Sequence, residues 1–177
     1  MEYKLFRDIL NKQIFESSKR DLLEKIAKYP ERYIGLFRPT KPKAKLFQNL
    51  LQSNEIRFGD ALEILFQKYF ALLGFDNLPK RIGTGKEYLD LDQLFKDEKY
   101  IYFIEQKVRD DHDSTKKRGQ FANFEKKIIA LIHEYDESKL KCFMYFIDPS
   151  LTKNKNYYTN SIRCGVPSAG RNHYHYD

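Results

Sequence analysis

Apolar residues recur at helical spacing through the first part of the chain. They predict a helix over residues 3–14, and a second helix that begins at Ser17, a residue able to cap it, and ends at Pro30. A proline-containing connector follows, and a short helix is then expected over 44–52. Residues 1–53 are therefore expected to form an N-terminal helical extension.

The longest helical stripe follows at residues 55–73. Its apolar members fall on one face of a helix: Phe58, Leu62, Leu65, Phe66, Tyr69 and Leu73. Gly74 comes directly after the stripe and predicts the end of the helix, because glycine readily takes the left-handed conformation of a helix C-terminus. We expect this helix to open the core of the protein.

Short apolar runs after this helix predict strands, which are expected at 79–82, 87–95, 99–108 and 140–147. A helix predicted over 119–136 separates the last two strands, so it is expected to be a crossover connection. The resulting order is helix, three strands, helix, strand. The pattern therefore predicts an α/β protein of the α+β type, with a mixed sheet flanked by helices at residues 54–150.

The last residues, 151–177, carry no comparable pattern. They are rich in Asn, Lys and Tyr, and such interleaving of basic and aromatic residues can hold nucleic acid. His173 and His175 could bind a metal ion, but two isolated histidines are weak evidence for a metal site. No helix or strand is predicted to close the chain here. We therefore expect a C-terminal tail that is truncated, and a truncated chain could be an inactive fragment.

The composition is that of a basic protein: the 177 residues carry a net charge of +7, and the pI is about 9.2. Such an excess favours a polyanionic partner, such as nucleic acid or an anionic membrane surface. Cys142 and Cys164 form no CxxC pair, which argues against a disulfide framework or a cysteine zinc site, and Cys142 is expected to be a buried free thiol. No apolar stretch approaches the roughly 18 residues that cross a bilayer, and no secretory segment is present. We therefore expect a cytoplasmic protein without a membrane role.

The second and third predicted strands form a hairpin with acidic residues at one end. With a two-residue turn at 97–98, Asp90 lies opposite Glu105, and Asp92 lies opposite Phe103. Cross-strand neighbours approach within roughly 5 Å. This register therefore predicts that several carboxylates converge at the open end of the hairpin.

The same register puts four charged side chains on one face: Asp90, Asp92, Glu105 and Lys107. Clustered carboxylates repel one another, and a hard cation such as Mg²⁺ relieves that repulsion because it prefers oxygen ligands. Lys107 could then orient or deprotonate a water molecule and stabilise charge that builds up on phosphorus. These groups together would hydrolyse a phosphodiester. The alternative is that Glu105 and Lys107 form a surface pair on an edge strand, since such patterns arise by chance in a charged sequence.

Residues 104–120, IEQKVRDDHDSTKKRGQ, closely resemble a signature of bacterial type II restriction endonucleases. These enzymes belong to the PD-(D/E)xK nuclease superfamily, and the subfamily suggested is HinfI-like. The E-x-K part of the superfamily motif matches Glu105 and Lys107, and its aspartate matches Asp90 or Asp92. The proline of the motif is absent, because leucine precedes both aspartates.

The resemblance implies a magnesium-dependent enzyme that cuts double-stranded DNA and leaves 5′-phosphate ends. It implies that Asp90 or Asp92 holds Mg²⁺ together with Glu105, and that Lys107 positions the attacking water. Members of the superfamily often add a carboxylate from the first core helix, for which Glu63 is the candidate, although it could equally be a solvated helix glutamate. Cutting both strands would suggest a homodimer.

The resemblance also favours DNA contact by the segment after the third strand. The residues expected to touch DNA are Arg109, His112, Asp113, Ser114, Lys116, Lys117, Arg118 and Gln120. The basic side chains would hold phosphates, and the acidic and amide side chains would read bases. The alternative, which composition alone favours, is a solvated loop that leads into a helix capped by Ser114 or Thr115.

Two other functions are kept beside the leading one. A DNA repair or junction-resolving nuclease of the same fold would recognise the shape of DNA rather than a fixed sequence. A DNA-binding module without catalysis is the other, but an inactive relative would be expected to lack the aspartate, Glu105 or Lys107, and all are present. The leading hypothesis is therefore a type II restriction endonuclease of a restriction-modification system.

Overall fold

The computed structural model describes residues 1–34, 40–83, 88–108, 113–150 and 153–165. It divides into two compact units, Met1–Lys68 and Tyr69–Asp177. The helices are α1 Tyr3–Leu10, α2 Ser17–Lys28, α3 Pro42–Leu72, α4 Ser114–Glu134 and α5 Lys155–Gly165. The strands are β1 Asp76–Asn77, β2 Arg81–Ile82, β3 Leu89–Asp90, β4 Gln93–Lys96, β5 Ile101–Lys107 and β6 Leu140–Phe146. Shorter helical turns are Asn11–Glu16 (π), Pro30–Arg32 and Glu137–Lys139 (both 3₁₀).

The N-terminal unit is helical and has a small core. Ile9 of α1 is buried in one cluster with Ala61 and Leu65 of α3. Arg57 of α3 forms an ion pair with Asp21 of α2, and this pairing holds the pKa of the Asp21 carboxyl below its usual value. Helices α1 and α2 lie within the predicted helical regions, and a π-helical turn joins them. The predicted cap at Ser17 is wrong, because the chain is already helical at Glu16 and the Ser17 hydroxyl donates to the Lys12 carbonyl at 3.1 Å.

Helix α3 is one continuous helix of 31 residues. The sequence predicts two helices here, at 44–52 and 55–73, and that separation is wrong because the residues between them include neither proline nor glycine. Gly74 ends the helix as predicted: its φ is 90°, and the N–H of Phe75 donates to the Phe70 carbonyl at 3.0 Å. Among the described residues, no helix combines the length and the apolar character needed to cross a membrane.

The C-terminal unit is built on a four-stranded mixed sheet in the order β1-β4-β5-β6. Strand β4 is antiparallel to β1 and β5, and β5 is parallel to β6, with α4 as the crossover. The predicted α+β class with a mixed sheet and flanking helices is confirmed. The strand predicted over 87–95 is instead divided between β3 and β4, because β3 pairs with β2 in a separate two-stranded sheet. Strand β1, with only two residues, is too short to give a pattern in the sequence.

The main core includes one face of the sheet and the apolar face of α4. Phe103 of β5 and Cys142 and Met144 of β6 belong to one buried cluster with Phe124 and Leu131 of α4. The rings of Phe103 and Phe124 are stacked with their centroids 5.6 Å apart. Cys142 is a buried free thiol as predicted, and burial raises its pKa.

Helix α5 packs onto this core through two adjacent tyrosines. Tyr158 is fully buried with its ring 5.1 Å from that of Phe146, and the Tyr157 ring lies 6.3 Å from that of Phe121. The expectation that no helix follows residue 150 is therefore wrong, because two aromatic side chains anchor a helix without producing a long apolar stripe. The division into 1–53, 54–150 and 151–177 stays a prediction, and His173 and His175 lie outside the described residues.

Candidate active site

The hairpin between β4 and β5 turns one residue later than the sequence predicts. The N–H of Asp97 donates to the Tyr100 carbonyl at 3.1 Å, so residues 98–99 form the two-residue turn. The Asp97 carboxylate accepts from the N–H groups of Tyr100 at 2.6 Å and Lys99 at 2.8 Å. These hydrogen bonds hold the pKa of Asp97 below its ordinary value. The predicted turn at 97–98 is therefore wrong.

The later turn shifts the pairing of the two strands by two residues. Leu94 lies opposite Phe103, where the sequence analysis expects Asp92. The predicted pairings of Asp90 with Glu105 and of Asp92 with Phe103 are thus wrong. Because side chains alternate with a period of two, a shift of two residues leaves each side chain on its expected face. Continuing the observed register brings Asp92, rather than Asp90, beside Glu105.

Asp90 lies on the other side of the bend, in the two-stranded sheet. It is opposite Arg81 of β2, and its carboxylate accepts from Arg81 Nε at 2.9 Å. Of the Asp90 side chain, 73% is exposed. The hydrogen bond from Arg81 lowers the pKa of the Asp90 carboxyl. Asp90 therefore forms a surface ion pair.

Four charged side chains meet at the end of β5, and we call them the charged cluster: Asp92, Glu105, Lys107 and Lys127. Lys107 Nζ lies 3.2 Å from Asp92 Oδ2 and 2.8 Å from Glu105 Oε1. Lys127 Nζ lies 2.6 Å from Glu105 Oε2 and 3.8 Å from Asp92 Oδ1. The backbone N–H of Gln106 donates to Asp92 Oδ2 at 2.8 Å, which fixes the aspartate against β5.

Lys127 is the member of the charged cluster that the sequence analysis missed. It lies on α4 within the buried stripe of Phe124, Ile128 and Leu131, and only 6% of its side chain is exposed. A lysine in such a stripe is costly unless it is paired, and the buried Glu105 is its partner. The sequence does contain a signal for this residue. Lys127 lies three residues after Phe124 and four before Leu131, a spacing at which an apolar side chain is expected on a buried helix face.

The two carboxylates of the cluster favour the protonated form of Lys107. Burial acts to lower the pKa of Lys107, but the negative charges of Glu105 and Asp92 act in the opposite direction and prevail, so its pKa lies above the ordinary value. A protonated lysine donates hydrogen bonds and stabilises negative charge. It cannot remove a proton from water in this state.

The Asp92 and Glu105 carboxylates have the chemistry to hold a hard divalent cation. One ammonium group, that of Lys107, contacts both of them, so the two carboxylates converge on the same positive charge. Mg²⁺ is often held by one or two carboxylates, with water and substrate phosphates in its other positions. Within the described ranges, no group of three or more His, Cys, Asp or Glu side chains could hold a metal ion.

Helix α3 contains the predicted carboxylate Glu63 and a second carboxylate, Asp60. Glu63 is half-buried and lies in the N-terminal unit, so its catalytic role stays a prediction. Asp60 lies 3.7 Å from Arg57 Nη1, within an ion pair of the same unit.

The start of α4 differs from the cap that the sequence predicts. Asp113 is the N-cap, because its Oδ1 accepts from the N–H groups of Thr115 at 3.0 Å and Lys116 at 2.8 Å. These hydrogen bonds lower the pKa of the Asp113 carboxyl. The predicted caps Ser114 and Thr115 are therefore wrong, since both lie inside the helix.

The residues expected to touch DNA are only partly described. Arg109 and His112 lie outside the described residues, whereas Ser114, Lys116 and Arg118 are exposed on the first turns of α4. Lys117 is partly buried, with its Nζ 4.7 Å from the centre of the Tyr157 ring. Gln120 accepts a hydrogen bond from the Tyr158 hydroxyl at 2.9 Å. Lys117 and Gln120, which were predicted to contact DNA, therefore hold α5 against α4.

Similarity to a known protein family indicates the function of the charged cluster. The chain matches the family model described as type II restriction endonuclease, HinfI, over residues 2–84 and 78–166. Comparisons with curated proteins and with solved structures gave no significant match. A restriction endonuclease binds DNA and hydrolyses its phosphodiester bonds. The resemblance seen in residues 104–120, including its HinfI-like character, is confirmed, and the chain belongs to the HinfI family of type II restriction endonucleases.

Proposed function

We propose that this chain cuts double-stranded DNA at a fixed sequence with Mg²⁺ and leaves 5′-phosphate ends, as the nuclease of a restriction-modification system. The observation that carries this proposal is the convergence of Asp92, Glu105 and Lys107 at the end of β5 in a member of a restriction endonuclease family. A restriction-modification system protects the DNA of its own cell, so we place its action in the cytoplasm.

Asp92 and Glu105 are the proposed ligands of the metal. Asp92 is preferred to Asp90 because it contacts the same lysine as Glu105, whereas Asp90 is exposed and paired with Arg81. When bound, Mg²⁺ would polarise a phosphate oxygen and lower the pKa of a bound water.

Lys107 is the proposed donor to the reacting groups. Its side chain is only 23% exposed and its ammonium contacts the two carboxylates, so it lies where a phosphate and an attacking water would meet them. As a protonated group, it would orient that water and stabilise the negative charge that grows on the phosphorus oxygens.

DNA binding is proposed along the start of α4. Ser114, Lys116 and Arg118 are exposed there, and the helix follows directly on the segment that contains Arg109 and His112. The net charge of +7 supports attraction of a polyanion. Binding held by phosphate contacts would weaken as salt increases.

A homodimer is proposed as the cutting unit, because each chain offers one charged cluster and a duplex has two strands. A dimer would cut both strands in one binding event, whereas a monomer would release nicked DNA first. Light scattering of the DNA complex, together with the order in which nicked and linear plasmid appear, distinguishes the two.

The experiment that tests the proposed function is digestion of phage DNA by the purified chain. We expect discrete fragments with Mg²⁺ and none with EDTA, and fragment ends that ligate directly because they carry 5′-phosphates. A folded protein that gives no fragments under any divalent ion would contradict catalysis. Cleavage at branched DNA regardless of sequence would replace this proposal with a junction-resolving nuclease.

A further inference from the structure

Lys127 contacts the same two carboxylates as Lys107, but from the other side. Lys107 contacts Asp92 Oδ2 and Glu105 Oε1, whereas Lys127 contacts Asp92 Oδ1 and Glu105 Oε2. The four carboxylate oxygens are thus divided between two ammonium groups. Any divalent cation that binds the pair must share these oxygens with a lysine.

The two lysines differ in their freedom to move away. The Lys107 side chain is 23% exposed and lies at the end of β5. The Lys127 side chain is 6% exposed and projects from the buried stripe of α4, beside Phe124 and Ile128. Lys107 can therefore shift towards solvent or substrate, whereas Lys127 is enclosed and has little open space to move into. The charge of Lys127 would stay beside a bound cation.

We propose that Lys127 is a positioning residue that fixes Glu105 through its Oε2 atom and, by the positive charge of its ammonium group, weakens the binding of Mg²⁺ at Asp92 and Glu105. This inference rests on the proposed function, because it assumes that the two carboxylates hold the metal. Its physical basis is the repulsion between a buried ammonium and a divalent cation a few ångströms away. Lys127 would thus lower the affinity for Mg²⁺ without being a ligand of the metal.

The test measures Mg²⁺ binding to the full chain by calorimetry without DNA. Lys127→Met removes the charge at similar length, Lys127→Arg keeps the charge, and Lys126→Met is the matched control on an exposed neighbour of the same helix. We expect Lys127→Met to bind Mg²⁺ roughly tenfold more tightly than the parent. Lys127→Arg and Lys126→Met should stay within about threefold of the parent, a difference worth well under 1 kcal/mol.

A second variant guards against misfolding. If Lys127→Met shows no cooperative thermal transition, the same comparison is made with Lys127→Gln, which removes the charge but keeps an N–H donor for Glu105. The Mg²⁺ concentration for half-maximal cleavage should fall with the dissociation constant in whichever neutral variant folds. A purely structural lysine would change the melting temperature and leave both Mg²⁺ values unchanged.

The outcomes separate this inference from the proposed function. A parent that binds Mg²⁺ and cuts DNA, with a folded neutral variant of equal or weaker Mg²⁺ affinity, overturns the role of Lys127 and leaves the nuclease standing. A folded parent that neither binds Mg²⁺ nor cuts DNA overturns both. The inference is supported if the neutral variant binds Mg²⁺ more tightly than the parent while Lys127→Arg and Lys126→Met do not.

Discussion

Two aspartates that follow leucines, Asp90 and Asp92, meet very different surroundings although a single residue separates them. Asp90 is paired with Arg81 on the surface, where their side chains are 73% and 64% exposed. Asp92 is 16% exposed and shares two lysines with Glu105. Water screens the first pair, so it contributes little. The charged cluster is largely shielded from water, so each of its charges is stable only because opposite charges lie beside it.

The comparison shows that a motif is defined by register and burial as well as by spacing. Both aspartates satisfy the D…ExK pattern with Glu105 and Lys107. The bend at residues 91–92 sends Asp90 into the two-stranded sheet and leaves Asp92 beside β5. The predictions below exploit this difference between the surface ion pair and the charged cluster.

The largest effect is expected at Lys107. Lys107→Ala should reduce the rate of DNA cleavage by about 10³-fold, because it removes the donor that stabilises charge on the reacting phosphate. Lys126→Ala, which changes an exposed lysine of α4, should cut at the parental rate. Initial rates on a plasmid substrate measure both. Equal rates for Lys107→Ala and the parent would remove Lys107 from the reaction.

A smaller effect is expected on folding when Glu105 loses its charge. Glu105→Gln leaves the buried ammonium of Lys127 and the partly buried one of Lys107 with Asp92 alone, so we expect a loss of about 3 kcal/mol in the free energy of unfolding. Asp90→Asn, which breaks the surface pair, should leave the urea midpoint unchanged within error. Similar midpoints for the two variants would show that the charged cluster is as well solvated as the surface pair.

The smallest effect is expected at alkaline pH. The pKa of Lys107 is raised above its ordinary value, which is roughly 10.4. Its pairing therefore contributes stability that is fully present below that ordinary value and is lost as pH rises through the pKa of the folded chain. The gap in melting temperature between the parent and Lys107→Met should therefore narrow as pH rises from roughly 10.5 to roughly 12. A gap that is constant over this range would mean that the charge of Lys107 has no part in it.

Strong periodic patterns predicted most of the fold from the sequence. The end of α3 at Gly74, the buried β6 strand and the helix between β5 and β6 all follow from apolar spacing and one glycine. Helix α5 did not, because its packing relies on two tyrosines rather than on a stripe. Periodic apolar patterns therefore predict helices and strands with a buried face. They do not predict a segment that is held in place by one or two side chains.

The candidate site was predicted in part. Glu105 and Lys107 were identified from the sequence and lie together. The choice between Asp90 and Asp92 depended on the turn, and hydrogen bonds from two backbone N–H groups to Asp97 move that turn by one residue. Lys127 is 20 residues or more from each of the others in sequence, so only the packing of α4 brings it in.

The most direct test of the charged cluster as the catalytic centre is the single-turnover cleavage rate of Asp92→Asn beside that of Asp90→Asn. Both variants make the same chemical change, and both are measured at saturating Mg²⁺ and enzyme. We predict that Asp92→Asn is slower than the parent by about 10³-fold and that Asp90→Asn stays within about threefold. A large loss in Asp90→Asn, or parental cleavage by Asp92→Asn, would contradict the assignment.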